Sequence, residues 1–345
     1  MANITPGGSY DYGSLTALTK EQYIPKLVDN VKKKSVLLSS LLGGSRPNAS
    51  GNSIHQPIEV ADATSLGFYE KYDTMTIAPT EFAKDASYGW AQAYASVSIS
   101  GFEERVNDNP EKLIDLMGAK MKNAEKSLTK KFANAFYGVS GADSVGNLVS
   151  LVDIASQTSD LGTLKVASNA YWKGAFDQDM SADASIAVAG NVTNFDSMAE
   201  NMDKIFRVYY NKMSKDAGER PTKVVVNQIF FDAMEQHLSD KKRTSSLASG
   251  EVADMGFTAM KFRGVDIIVD ESIPDGEVYF LNEDYLRMVH SRKANFGFTG
   301  FKAPVDQDAK TGQILWMGQL ICSNRSKAVG RLHSLPTDYT TATSA

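Results

Sequence analysis

One stretch constrains this chain more than any other: residues 107–138, NDNPEKLIDLMGAKMKNAEKSLTKKFANAFYG. It predicts a single long helix with both ends marked. Asn109 suits the N-cap, because its side-chain oxygen can accept from an orphan amide of the first turn. Pro110 then occupies the first helical position, where a missing N–H costs nothing. Glu111 in the first turn and Lys130 and Lys131 near the end both favour the helix dipole. Gly138 can adopt the left-handed conformation that ends a helix. Between these caps Leu113, Met117, Met121, Ala124, Leu128, Phe132 and Ala135 recur at steps of three or four and form one apolar stripe. From Pro110 to Tyr137 the helix would run roughly 42 Å at 1.5 Å per residue, long enough to serve as a spine against which sheets pack.

The rest of the composition is that of an ordinary folded chain. With 345 residues, 42% hydrophobic and 22% charged, there is material for two or three domains. A formal net charge of −5 argues against a bulk polycation for nucleic acid. The single cysteine, Cys322, excludes an intrachain disulfide and predicts a buried, reduced thiol in a protein made in the cytosol. The opening MANITPGGSYDYGS has no basic region before an apolar run, so no signal peptide is expected. No stretch reaches the ~20 apolar residues that span a bilayer.

Taken in order, residues 1–18 are rich in Gly, Ser, Thr and Tyr without a period and predict an extended arm. A short helix is expected from about Lys20 to Leu42, with Val28, Val31, Leu38, Leu41 and Leu42 on its apolar side and Gly43-Gly44 ending it. Pro25 fits only in its first turn, and Lys32-Lys33-Lys34 is a solvated face. Residues 45–105 change character and predict a long two-stranded excursion with a polar tip near residues 62–80. Tyr88, Trp90, Gln92 and Tyr94 share one parity and Val97 and Ile99 the other, which signals a bulge or bend. An isolated hairpin is marginal in water, so this excursion needs a partner, most simply a neighbouring copy. After the long helix, residues 138–193 are loop-rich, with Tyr171, Trp172 and Phe176 as packing anchors. Residues 194–217 predict a second helix striped by Phe195, Met198, Met202, Ile205, Tyr209 and Met213, closed by Gly218 and Pro221. Lys223 to Val226 reads as a buried strand leading into a helix capped by Asn227, and residues 240–256 as a polar loop. The last third is β-rich: two strands flank the turn Pro274-Asp275-Gly276, and LRMVHS, ILWMGQLICS and KAVGRLHSL are further strands.

No catalytic constellation is legible. His55, His237, His290 and His333 are scattered and share no metal-ligand spacing. There is no Gly-rich phosphate loop. Cys322 lacks a partner base and sits in an apolar strand. Val305 to Gln313 lacks the glycine and the final acid of a calcium loop, and Asp177 to Asp179 reads as a solvated turn. The expectation is therefore no catalytic, cofactor-binding or metal site, no cofactor and no enzyme.

The order of elements is informative: free arm, short helix, long β excursion, spine helix, mixed α/β part, β-rich end. This order resembles the major capsid proteins of tailed bacteriophages, the Hong Kong 97-type fold. NPEKLIDLMGAKMKNAEKSLTKKFANAFYG resembles the family's spine helix, LVDIASQTSDLGTLKVASNAYWKG the segment after it, PTKVVVNQIFFDAMEQHL its axial strand-then-helix, and MKFRGVDIIVDESIPDGEVYFLNEDYLRMV its short strands around a turn. The resemblance spans roughly residues 20–335 and rests on order and spacing rather than on one motif.

The resemblance implies an α+β fold with an N-terminal arm (1–19), a short helix (20–44), an extended loop (45–105) and a peripheral-domain spine helix (106–140). Residues 141–260 would be mainly axial domain, with helix 194–217 at the boundary. Residues 261–336 would supply the remaining axial strands and the peripheral strands, and 337–345 a flexible tail. It implies self-assembly into hexamers and pentamers, an icosahedral shell around double-stranded DNA, and a virion protein assembled in the host bacterial cytoplasm. A scaffolding protein, a portal and decoration proteins are the implied partners. The DNA would be enclosed without sequence-specific binding, and no membrane is involved. The arm is short and lacks a charged helical run, which favours a separate scaffold. Some members of the family join subunits by lysine–asparagine bonds. Lys71 or Lys84 would then be the donor, with no asparagine or glutamate assignable by motif, and a non-covalent shell is expected. Lysines 120, 122, 126, 130 and 131 read as a solvated helix face, with a genome-facing patch as the alternative. An encapsulin-like compartment and an enzyme with an unrecognised site are the competing readings.

Overall fold

The computed structural model describes residues 37, 40–41, 44–48, 51–61, 65–75, 81–106, 116–138, 148–181, 192, 194–215, 219–245 and 260–339. In chain order the strands are β1 (Arg46–Asn48), β2 (Ile54–Glu59), β3 (Ala83–Tyr88), β4 (Ala91–Ser100), β5 (Phe176–Asp179), β6 (Lys223–Val226), β7 (Met260–Phe262), β8 (Val265–Val269), β9 (Val278–Leu281), β10 (Leu286–Ser291), β11 (Gly297–Phe298), β12 (Ala309–Cys322) and β13 (Val329–His333). The helices are α1 (Gly101–Val106), α2 (Leu116–Phe136), α3 (Leu151–Ala155), α4 (Phe195–Glu200), α5 (Met202–Ser214), α6 (Gln228–Ser245) and α7 (Arg325–Ala328).

The long helix is present as α2, and Gly138 ends it with φ +69. Its expected start, with Asn109, Pro110 and Leu113, lies outside the described residues. The apolar stripe is half-buried at Met121 and Ala124 and fully buried at Leu128, Phe132 and Ala135. Burial widens at the C-terminal end to include Ala133, Phe136 and Tyr137. There Phe132 meets Trp316 edge-on, with ring centroids 4.5 Å apart. This anchors α2 on a five-stranded sheet in which β12 pairs with β4 along one edge and with β10 and β11 along the other, while β1 adds to β10 in parallel. Of the expected helix at 20–44, Leu37, Ser40 and Leu41 are described as helical, with Leu37 and Leu41 buried in the same core; most of the rest, Pro25 and the lysine run included, lies outside the described residues.

The six-stranded sheet runs β5-β13-β9-β6-β8-β7 and is covered on both faces. Alternate residues show this. Val225, Tyr279, Leu281 and Val329 join the core under α2, whereas Val224, Val226, Val278, Phe280 and Leu332 join a second core built with α4, α5 and α6. That two-sided burial is why β6 and β9 are almost uninterrupted apolar runs. Asn227 caps α6 as expected, accepting from the Phe230 amide at 3.0 Å. At the junction of the two cores the Tyr137 hydroxyl donates to Asp270 Oδ2 at 3.0 Å.

Several local expectations are corrected. The excursion of residues 45–105 is not one two-stranded unit. Only β2 and β3 pair as a hairpin, whereas β4 joins the five-stranded sheet. The parity change falls at Gly89-Trp90, where the chain leaves one sheet and enters the other. The helix at 194–217 is two helices, because Asn201 turns back on Ser197, its side-chain amide donating to the Ser197 carbonyl at 2.9 Å. The strands flanking Pro274-Asp275-Gly276 do not pair with each other, since β6 lies between them. Asp177 to Asp179 is strand rather than turn, and Asp177 pairs with Arg331 at 3.4 Å. Helix α6 continues to Ser245, into the expected polar loop, whose remainder from 246 to 256 lies outside the described residues. In the tail, Tyr339 is docked against Phe195 and donates to Asp232.

The loop-rich middle is organised by Arg325, whose side chain is 0% exposed. Its guanidinium donates to the carbonyls of Asp153 (2.6 Å), Ile154 (3.0 Å), Ser156 (2.8 Å), Ser159 (2.8 Å) and Trp172 (3.0 Å), and to the Ser159 hydroxyl at 3.2 Å. Three of those carbonyls lie at the C-terminal end of α3, where helix carbonyls lack partners and a cation is favoured. Trp172 closes the same loop by donating to the Leu161 carbonyl at 2.9 Å. Arg325→Ala strands these carbonyls in a buried site, so it is expected to cost at least about 3 kcal/mol. Arg325→Lys, with three donors and no fork, is expected to fall between wild type and alanine in a urea unfolding series.

Candidate assembly surface

The hairpin of β2 and β3 is buried at its base and exposed towards its tip. Ile54, Ile58, Ala86 and Tyr88 sit in the core beneath α2. Three hydrogen bonds hold this base. The Tyr88 hydroxyl donates to the Cys322 carbonyl at 3.2 Å, the Trp90 indole N–H to the Gly51 carbonyl at 2.9 Å, and the Ser87 amide to the Gly162 carbonyl at 2.9 Å. The close approach to Tyr88 requires glycine at 162: φ is +60, and a Cβ there would lie 2.9 Å from the ring.

Beyond Glu59 the character reverses. Leu66, Phe68, Tyr69, Tyr72, Met75 and Phe82 are all large, apolar and exposed, with Tyr72 at 98%. The tip has a turn of its own, in which the Asp73 amide donates to the Glu70 carbonyl at 3.0 Å and the Glu70 amide to Asp73 Oδ2 at 2.9 Å. Apolar side chains scattered singly over a surface are normal, but six along residues 66–82 make this segment a candidate interaction surface. Composition alone had marked this tip as polar. The missed signal was the density of aromatic residues in LGFYEKYD.

The two candidate donor lysines are placed differently. Lys71 is on the exposed tip. Lys84 donates to Asn169 Oδ1 at 3.0 Å within the same chain. Asn169 is buried and also accepts from the Tyr171 hydroxyl at 2.9 Å, while its amide donates to the Lys165 carbonyl at 2.8 Å. None of these partners is a carboxylate that could move the proton an amide exchange requires, so the contact reads as a hydrogen bond tying β3 to the loop. Tyr171 therefore acts through its hydroxyl, whereas Trp172 and Phe176 are the buried anchors expected.

The other residues weighed for chemistry stay apart. His55 accepts or donates at Ser53 Oγ (2.8 Å) and pairs with Asp85 on its other nitrogen. These three resemble a nucleophile–base–acid relay, but His55 and Asp85 are open to water on the hairpin, where preorganised dipoles for an oxyanion are replaced by solvent. His237 lies 3.3 Å from Asp203, and His333 lies 3.8 Å from Asp177. Asp308, from the loop once compared with a calcium site, pairs with Arg105. Among the described residues no group of three His, Cys, Asp or Glu side chains converges to hold a metal, and no helix is long and apolar enough to cross a membrane. Of the five spine lysines, Lys120 is bound to Glu103 at 2.7 Å, and its neighbours Lys122, Lys126, Lys130 and Lys131 lie on the exposed side of α2. Cys322 is buried on β12, and burial pushes its thiol up to about 12. At pH 8 the thiol stays protonated in the folded chain. Maleimide is therefore expected to leave native protein unlabelled over an hour and to modify one thiol per chain after denaturation in urea.

No family model matches this chain, and no curated protein matches it in sequence. Solved structures do. The capsid asymmetric unit of cyanophage A-1(L) is similar over 93% of this chain and 98% of that one, with a TM-score of 0.61 at 14% identity. The capsid of a native GTA particle is similar over 97% and 100%, with a TM-score of 0.57 at 12% identity. The capsid of Myoviridae phage XM1 is similar over 96% and 100%, with a TM-score of 0.57 at 12% identity. The chain thus has the α+β capsid fold that the sequence resemblance implied.

Proposed function

We propose that this chain is the major capsid protein of a tailed bacteriophage, a structural, non-enzymatic subunit that assembles with itself into an icosahedral shell around double-stranded DNA. The observation that carries the reading is the fold likeness over nearly the whole of both chains, coupled to a hairpin whose tip exposes six large apolar side chains. A fold shared with capsid subunits supports the role. The exposed tip supports the mode of action, because apolar surface of this kind gains stability only when another surface covers it.

On this reading the β2–β3 hairpin is the extended loop that reaches a neighbouring subunit. The five-stranded sheet with α2 is the peripheral domain, and the six-stranded sheet with α4 to α6 is the axial domain, whose copies meet at the five- and six-fold positions. A separate scaffold, a portal and decoration proteins remain the expected partners. The shell would be non-covalent, in keeping with the local use of Lys84, and its place would be the virion, after assembly in the host bacterial cytoplasm.

The test is electron microscopy of the protein expressed alone and fractionated by size. Closed shells, or pentamers and hexamers that close when a scaffold is added, support the reading. DNA packaged in particles that also carry a portal favours a phage capsid, whereas an enzyme cargo favours an encapsulin-like compartment. A monomer that never assembles overturns the proposal. Replacing Phe68 and Tyr72 together by serine is expected to abolish shell formation. The monomer's stability should change by no more than about 0.5 kcal/mol per site, because both side chains are solvent-exposed. Denatured shells are expected to run as single chains on gels.

A further inference from the structure

Ser53, His55 and Asp85 form a connected line of side chains on the hairpin. Ser53 Oγ lies 2.8 Å from His55 Nε2, and His55 Nδ1 is paired with Asp85 Oδ2. Strand geometry accounts for the placement. Ser53 immediately precedes β2 and His55 is its second residue, so the two side chains, two residues apart, stand on one face. The register sets Ser87 opposite His55 and Asp85 opposite Pro57, which makes Asp85 the diagonal neighbour of His55 on that same face. The loop entering β2 is held by the Trp90 indole N–H, which donates to the Gly51 carbonyl at 2.9 Å. Gly51 has φ +148, and a Cβ on it would lie 3.2 Å from the Ser53 carbonyl oxygen, so glycine lets the chain turn tightly into Ser53.

The direction of these hydrogen bonds sets the chemistry. A carboxylate only accepts, so the proton between His55 and Asp85 sits on Nδ1. The Nε2 lone pair of the neutral ring then faces the Ser53 hydroxyl and can take its proton as the oxygen attacks an electrophile. Ser53 is half-buried, and the His55 and Asp85 side chains are 58% and 49% exposed, so a reagent reaches the hydroxyl from solvent. That same exposure puts water where an oxyanion hole would hold fixed donors. A substrate with a poor leaving group therefore gains little here. One with an activated leaving group needs only the proton transfer that His55 supplies. The serine ester it leaves behind is a poor electrophile in turn, so the adduct persists and the site is modified without turning over.

We propose that Ser53 is an acyl-acceptor site, modified by activated esters, with His55 as the general base and Asp85 as a positioning residue that holds the His55 tautomer. Ser53 Oγ adds to the ester carbonyl carbon while its proton passes to His55 Nε2. The tetrahedral oxyanion collapses, the alkoxide or aryl oxide of the ester leaves, and it takes the proton from His55. One C–O bond forms at Ser53 and one breaks at the leaving group. The products are acyl-Ser53 and a free alcohol or phenol, and nothing is oxidised or reduced. All three residues belong to one chain, so the assignment is independent of the shell reading.

The test adds p-nitrophenyl acetate to the full-length protein, fractionated by size as free subunits, and locates the acetyl groups by peptide mass spectrometry. Ser53 is expected to be acetylated about tenfold faster than the exposed Ser96 of β4 in the same chain, less than the roughly 100-fold of an enclosed general base because this relay is open to water. His55→Gln should bring Ser53 down to the rate of Ser96. Asp85→Asn should slow it as well, and Asp85→Glu, which keeps the carboxylate, should recover part of the rate. Unchanged urea midpoints in these variants separate lost chemistry from lost folding. Wild type unfolded in urea gives a check free of substitutions, since the preference for Ser53 over Ser96 should vanish there. Equal acetylation of Ser53 and Ser96 in the native chain, or a Ser53 rate that His55→Gln leaves unchanged, overturns the proposal.

Discussion

A buried guanidinium bound entirely by oxygens of the loop it organises is the constraint on which the rest of this structure depends. Arg325 gathers five main-chain carbonyls from residues 153 to 172. The loop has little regular structure to satisfy its own backbone, so a single cation with a fork of donors does this instead. Burial works against the charge, and the carbonyls at the end of α3 offset that penalty. Without this hub the loop's buried carbonyls would be left without donors. Gly174 belongs to the same arrangement: a Cβ there would lie 2.0 Å from the Ala155 carbonyl oxygen, so the returning chain passes the helix end only without a side chain.

The loop matters because it closes one face of a sheet that is buried on both. Alternate residues of β6, β9 and β13 feed two cores, and the sheet holds the α2 side of the molecule to the α4–α6 side. The ion pairs of Arg331 with Glu277 and Asp177 tie β13 to β9 and β5 in the same plane. Among the described residues the β2–β3 hairpin is held to the rest of the chain from Tyr88 to Lys84 and becomes exposed beyond Glu59. The burial gradient along it, from Ile54 and Tyr88 to Phe68 and Tyr72, separates a part buried in the fold from a part left exposed.

How much was readable varies with the range of the interaction involved. Helix α2, the strand Lys223 to Val226 and the Asn227 cap were legible because their signals are local: an apolar period, a β-branched run, a side chain two or three residues from its amide. The split of the helix at Asn201 was missed because an asparagine that bonds back to Ser197 looks like any polar residue on a helix face. DQD in strand β5 reads as a turn because it is polar. Its aspartates are tolerated in a strand since Arg331 and His333 stand opposite on β13. Arg325 itself gave no signal, as an arginine near the end of an apolar strand has no local mark of burial.

From the chain alone came the order of elements, the spine helix, the lack of a legible catalytic constellation and the need of residues 45–105 for a partner. These follow from periodicity and composition, which act over a few residues. Only the tertiary structure decided that β4 leaves the hairpin to become an edge of the main sheet, that Lys84 is engaged with Asn169, and that the apolar part of the excursion is its tip. Each of these depends on strands brought together from distant parts of the chain, as when β4 meets β12 more than two hundred residues later. Pairing of that kind is set by the competition among all strands for burial, which no single segment encodes.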